Sequence, residues 1–175
     1  MKTLQLYALL LLVLISPLSL SAQNEVVREQ ISLEGLQEIG FTANIEGSIE
    51  IANSDTLTPT IIRQQTVNQL VDANIRYVQD EEVESSADIP FLHMHINVMQ
   101  MENGLIPFSI NLRLHQPVKL MLNRDLETTA TTWETGLVGL VSFDQLPVIN
   151  QAAGGLVETF IEDFDKSNPG RISHR

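Results

Sequence analysis

His93 and His95 stand two residues apart, and Asn111, Arg113 and His115 share the same alternation further along the chain. In a β-strand alternate side chains point to one face, so an His-x-His pair presents two imidazoles side by side. Two imidazoles are part of a metal ligand set, which a third nitrogen or a carboxylate must complete. Without one they are ordinary side chains of a solvated sheet face, or contacts for a ligand. Trp133, the single tryptophan, is either a stacking surface or the largest side chain of the core. The run Asp80–Asp88 carries five acids in nine residues. It lacks the alternating ligands, central glycine and closing glutamate of an EF-hand, and reads as a solvated loop. Gly154-Gly155 has no following lysine and cradles no phosphate. GxSxG, HExxH and SxxK are absent from the sequence. Carboxylates are too numerous for any pair to stand out as acid and base. The candidate binding residues are therefore His93, His95, Asn111, Arg113, His115 and Trp133, with no catalytic residue, metal set or cofactor assigned.

The 175 residues include 22 acidic, 10 basic and no cysteine side chains, for a formal net charge of -12. Such a chain lacks the basic face that neutralises phosphates, which excludes nucleic acid as a partner. Missing thiols exclude disulfide scaffolds, thiol catalysis, iron–sulfur clusters and cysteine zinc sites. A composition 43% hydrophobic and 18% charged is that of a folded domain.

Lys2 precedes an unbroken apolar run, Leu6–Ile15, which Ser16-Pro17 ends before the small residues Ser19 to Ala22. That order reads as a secretory signal peptide over 1–22, cut near Ala22-Gln23. A spanning helix needs about 20 apolar residues, twice what this run offers. No cysteine follows it to carry a lipid. Losing Lys2 leaves 9 basic against 22 acidic side chains, a net of -13. The rest is long enough to be stable without disulfides, since a domain of about 150 residues buries roughly 70% of its unfolded surface. An exported chain without cysteine fits a bacterial periplasm or exterior.

Several elements must position the candidate residues. Residues 23–35 are polar with weak periodicity and read as a flexible lead-in. Ile39, Phe41, Ala43 and Ile45 alternate as a strand, which Ile49 and Ile51 continue. Thr58-Pro59 starts a helix over 59–73 with a stripe of Ile62, Val67, Leu70 and Val71, and Asn74 ends it in left-handed conformation. Ile75–Val78 is a short strand. Leu92, Met94, Ile96 and Val98 alternate, as do Phe108, Ile110, Leu112 and Leu114, with Pro117 marking an edge, bulge or break. Residues 128–142 form a further strand. Ile149, Ala153, Leu156, Val157, Phe160, Ile161 and Phe164 recur at helical steps over 147–166, and Asn168-Pro169-Gly170 stops that helix. Gly154-Gly155 implies close approach to the sheet. The order β–α–β–β–β–β–α, with one apolar side per element, predicts an α+β fold over 36–168 and a tail over 169–175. It consists of one antiparallel-rich sheet with two helices on one face and a polar face left open.

This arrangement resembles small exported envelope proteins in which a curved sheet is backed by two helices, such as the lipopolysaccharide-assembly lipoprotein family. The likeness covers the element order of 36–168, and that family's lipid-bearing cysteine is missing. Ala130–Trp133 and Phe160–Phe164 through Pro169 are also similar to uncharacterised exported bacterial proteins. The resemblance implies a family and no activity.

Parity fixes one register. Both apolar sets of the 92–98 and 108–114 strands are even-numbered, so paired residue numbers must sum to an even number. A two-residue Asn103-Gly104 turn fails that test. A three-residue loop, Glu102-Asn103-Gly104 with Gly104 left-handed, passes it. It sets His93 against Arg113, whose charge opposes a metal cation there, and His95 against Asn111. The expected function is non-enzymatic binding of a protein or small ligand through the open face or a strand edge. The alternatives are a small metal-assisted enzyme using His93 and His95, or a homo-oligomeric structural component.

Overall fold

The computed structural model describes residues 27–170, except 28, 48–54, 80–82, 84, 85 and 87. The leader, the Ile49–Ile51 continuation, most of the acidic loop and the last five residues lie outside the described residues. In chain order the elements are β1 (Glu38–Glu46), α1 (Pro59–Asp72), β2 (Arg76–Tyr77), β3 (Phe91–Val98), β4 (Leu105–Leu120), β5 (Asn123–Ser142) and α2 (Pro147–Ser167). The strands form one sheet in the order β2-β1-β3-β4-β5. β1 runs parallel to β2 and β3, while β3, β4 and β5 form an antiparallel meander with the longest ladders. The fold is α+β, with the predicted element order and both helices on one side of the sheet.

The local signals act as expected at most boundaries. Thr58 caps α1, its Oγ1 accepting from Ile61 N at 3.2 Å. Asn74 has φ 56°, and Ile75 N donates back to Leu70 O at 2.9 Å, closing the helix with a left-handed residue. The α1 stripe differs in detail. Thr66 is buried beside Ile62 and Leu70, whereas Val71 is exposed. α2 buries Ile149, Ala153, Leu156, Val157, Phe160 and Phe164 in the core, over β4 and β5 and beside α1. Gly154 is tight for another reason than the sheet. A Cβ there collides with Gln65 of α1, and Gln69 Nε2 donates to Gly154 O at 3.2 Å, so the glycine serves helix–helix approach.

Residues 29–36 are docked where a loose lead-in is expected. Leu33 is fully buried, and Asn168 at the end of α2 holds the segment by donating to Leu33 O (2.9 Å) and accepting from Gly35 N (2.9 Å). The segment is anchored by two buried apolar side chains, Leu33 and Leu36, whose spacing alone sets up no recognisable period across it. Pro117 does not break β4. It lies past the last β3 pair, Phe91 with His115, and the bulge falls beside it, where the register with β5 shifts between Leu114 and His115.

The parity argument holds along the β3–β4 hairpin. Val98 pairs with Phe108, Ile96 with Ile110, Met94 with Leu112, and His93 with Arg113. Gly104 has φ +77°, and Met101 N donates to Leu105 O at 2.9 Å. No neighbour crowds Gly104, so its requirement is the backbone angle alone. Gly104→Val is expected to lower stability by about 1 kcal/mol or more, because a β-branched residue tolerates positive φ poorly. Chemical denaturation checks it, and an unchanged midpoint contradicts the strained turn.

Candidate functional site

The helices cover one side of the sheet, and the other side carries the candidate residues. Even-numbered residues of β1, odd-numbered residues of β3 and β4, and even-numbered residues of β5 from Glu134 on share that face, the parity of β5 switching at the bulge before it. Strand pairing lines them up in rows. Thr42, His93, Arg113 and Glu134 form one row, and Asn44, His95, Asn111 and Gly136 the next. His115 lies on the other side of His93, with ring centroids 6.2 Å apart, and Phe91 stacks on it at 5.0 Å. The His93 and His95 rings are 6.3 Å apart. The structure thus gathers five of the six predicted residues on one surface.

Trp133 is the exception. Its partner across the sheet is Leu114, on the core side, and it is buried with Nε1 donating to Asp163 Oδ2 at 3.2 Å. It packs edge-on against Phe160 at 5.2 Å. Of its two readings, the core one describes the structure, and Trp133 offers no ring to a ligand on the open face.

Residues that the sequence did not single out complete the surface. Thr42 Oγ1 sits 2.9 Å from His93 Nδ1, Glu134 accepts from Arg113 Nε at 3.2 Å, and Glu46 lies 3.5 Å from His95 Nε2. At that last distance the contact is an ion pair at most, and the buried His95 Nε2 makes no hydrogen bond. The parity of β1 marks Thr42 and Asn44 as outward-facing. What the sequence does not show is that β1 lies beside β3.

The open face is polar over one half only. Beyond the Asn97–Ser109 row it turns apolar, with Met99, Val138 and Leu140 exposed around Pro107. A shallow depression of about 300 Å³ lies there, bordered by Asn97, Met99, Pro107, Ser109 and Val138. Near Phe91 the face is closed by Val83, which rests where a Cβ on Gly40 would stand.

The electrostatics follow from crowding. His93 is held below the ordinary imidazole value of 6.5 by burial first, then by His115, His95 and Arg113. His115 is lowered by burial and by Arg113. Both imidazoles favour the neutral form at neutral pH. A depressed folded-state value means the unfolded chain binds the proton first. The stability is therefore complete above 6.5 and is lost as pH falls below it towards the folded value. Carboxylates also destabilise at low pH, so the test is a difference. His93→Gln is expected to lose less melting temperature than the wild type between pH 7.5 and 5.5, by differential scanning calorimetry. Equal losses contradict the assignment.

Chemically the arrangement offers hydrogen-bonding groups, imidazoles and the exposed Arg113–Glu134 ion pair beside an apolar strip. The Thr42–His93 contact pairs a hydroxyl with a base, but the groups beyond His93 are imidazoles and a guanidinium, none of which orients it as a carboxylate does. Among the described residues no three His, Asp or Glu side chains converge to hold a metal ion.

No protein-family model matches the chain, and no curated protein matches it in sequence. Among solved structures it is similar to the PelC dodecamer from Paraburkholderia phytofirmans, at 11% identity and TM-score 0.38, over 73% of this chain and 88% of that one. A second crystal form of that dodecamer gives the same identity and score over 73% and 86%. It is also similar to a minor lipoprotein from Acinetobacter baumannii, at 8% identity and TM-score 0.32, over 75% and 93%. Likeness at this level bears on neither partner nor activity. The resemblance to envelope lipoproteins stays one of architecture.

Proposed function

We propose that the chain is an exported, non-enzymatic binding module whose partner docks on the uncovered sheet face. One observation carries the reading. A four-stranded surface is left uncovered by α1 and α2, with a histidine-rich polar half directly beside an exposed apolar half. Recognition surfaces combine an apolar contact area with a few placed polar groups, which is the division seen here. Export rests on the leader-like order of residues 1–22, and none of the helices among the described residues is long and apolar enough to cross a membrane.

The test is capture from the organism's own envelope extract, followed by mapping on the isotope-labelled protein. Addition of the captured molecule is expected to shift the amide signals of Thr42, His95, Asn111, Arg113, Val138 and Leu140. Val138→Asp is expected to abolish capture without changing the melting temperature, since Val138 is 84% exposed. Shifts confined to α1 and α2 contradict the reading. So does turnover of the captured molecule, which points to an enzyme instead.

A further inference from the structure

The β4–β5 hairpin outruns the sheet. β3 ends opposite His115, and β4 continues for five residues, Gln116–Leu120, paired only with β5. At about 3.3 Å per residue the arm projects roughly 16 Å beyond its neighbour. Its base is braced, with Gln116 Nε2 donating to Ser32 O at 2.9 Å and Ser32 Oγ to Thr132 O at 3.0 Å. The bulge in β5, where Thr132 has no partner in β4, adds twist there. The arm is therefore a positioned feature.

Its tip is aliphatic. Met121 and Leu122 make the turn and are 87% and 104% exposed, with Leu120 at 40% and Leu126 at 48% beside them. Turn chemistry does not ask for these residues. Two-residue hairpin turns favour Asn-Gly or Asp-Gly at positive φ, and neither Met121 nor Leu122 has positive φ. The register jumps from Lys119 with Glu127 to Leu120 with Asn123, so Arg124–Leu126 loop outwards and bring Leu126 to the tip. In the described fold Met121 and Leu122 are bare and Leu120 and Leu126 half-exposed, and an exposed aliphatic cluster of this kind marks an interaction site.

We propose that this tip inserts into the surface of a zwitterionic phospholipid bilayer. Two observations select that occupant. The first is area. A stable protein–protein interface takes about 1,200–2,000 Å², and a narrow two-stranded tip with four aliphatic side chains supplies a fraction of it. A bilayer needs no complementary surface. The second is charge. The chain is at -12, but the arm balances Lys119 and Arg124 against Asp125 and Glu127, with Lys119 Nζ 2.8 Å from Glu127 Oε1. The tip is thus the neutral end of an acidic protein. Anionic lipid repels the rest of the chain, and zwitterionic lipid does not. Lys119 and Arg124 can lay their stems along the acyl boundary and keep their charges among headgroups.

The experiment is flotation with phosphatidylcholine vesicles, using the full chain and the chain starting at Gln23. The shorter form is the chain expected after removal of the leader-like segment, and it excludes the apolar run Leu6–Ile15. The shorter wild-type form is expected to float. The Met121→Asp/Leu122→Asp double variant is expected to bind at least tenfold less, with an unchanged melting temperature because the tip lies outside the core. Leu122→Trp is expected to show a blue shift in emission when vesicles are added, against the constant signal of buried Trp133. The proposal is overturned if the shorter form stays at the bottom of the gradient, or if the double variant floats as well as the wild type. It is also overturned if the double variant changes the particle mass in lipid-free light scattering, which assigns the tip to a second copy of the chain.

Discussion

Phe160→Ala is expected to lower the unfolding free energy by about 3–5 kcal/mol, the cost of emptying an aromatic site in a packed core. Phe160 is fully buried at the middle of the α2 stripe. Trp133 meets its ring edge-on at 5.2 Å and 75°, and Phe164 lies 6.2 Å away. The site cannot collapse easily, because Trp133 is pinned from the far side by its bond to Asp163 (3.2 Å). Asp163 also accepts from Gln30 and from Lys166, each at 3.0 Å, so the carboxylate does not follow the indole inward. For a domain of this size the loss corresponds to a melting shift of roughly 6–20 °C. Scanning calorimetry reads it directly. A shift of a degree or so means α2 is not docked on the sheet as described.

Asn168→Ala is expected to cost about 1–3 kcal/mol through unmade hydrogen bonds. Asn168 is buried, and its side chain donates to Leu33 O and Phe164 O and accepts from Gly35 N. Phe164 O keeps a second donor, the Asn168 backbone N–H at 2.9 Å. Leu33 O keeps the long bond from Leu36 N (3.4 Å) and Gly35 N loses its Asn168 partner, and removing such bonds at a part-buried site costs about 1–3 kcal/mol. The effect is local as well as global, because the same side chain joins the end of α2 to residues 33–35. Amide hydrogen exchange at Leu33 to Leu36 is expected to accelerate more than exchange in β3. Uniform acceleration, or none, contradicts the role assigned to Asn168.

Much of this was legible in residue order. Alternation in 92–98 and 108–114 fixed the hairpin to a single register, because one-residue slips exchange the faces of a strand and only one loop length respects both apolar sets. With the register came the juxtaposition of His93 with Arg113 and of His95 with Asn111. The neighbour of β3 was not legible. Periodicity reports which side of a strand is buried and says nothing of which strand lies alongside, so Thr42, Asn44 and Glu46 escaped notice. Val138 and Leu140 escaped for another reason. In β5 the core residues are Trp133, Leu137 and Val141, and the apolar residues between them blur the alternation. Trp133 itself sits at that blur, where side could be decided only by its pairing with Leu114. The docking of Leu33 depends on one distant amide and leaves no periodic trace.

The strand order has a kinetic consequence. β3, β4 and β5 are consecutive neighbours, whereas β1 lies between β2 and β3 and pairs with β3 across the intervening α1 and acidic loop. Closing long loops is entropically dearer than closing hairpins, and chains rich in distant pairings fold slowly. This topology favours the meander, built of adjacent hairpins, over the β1–β3 pairing in the order of closure. Until β1 pairs, β3 offers a free hydrogen-bonding edge with Leu92, Met94 and Ile96 beside it. An unpaired edge of that kind is a template for pairing with another chain, so β1 also serves the sheet as the cover of its most apolar strand.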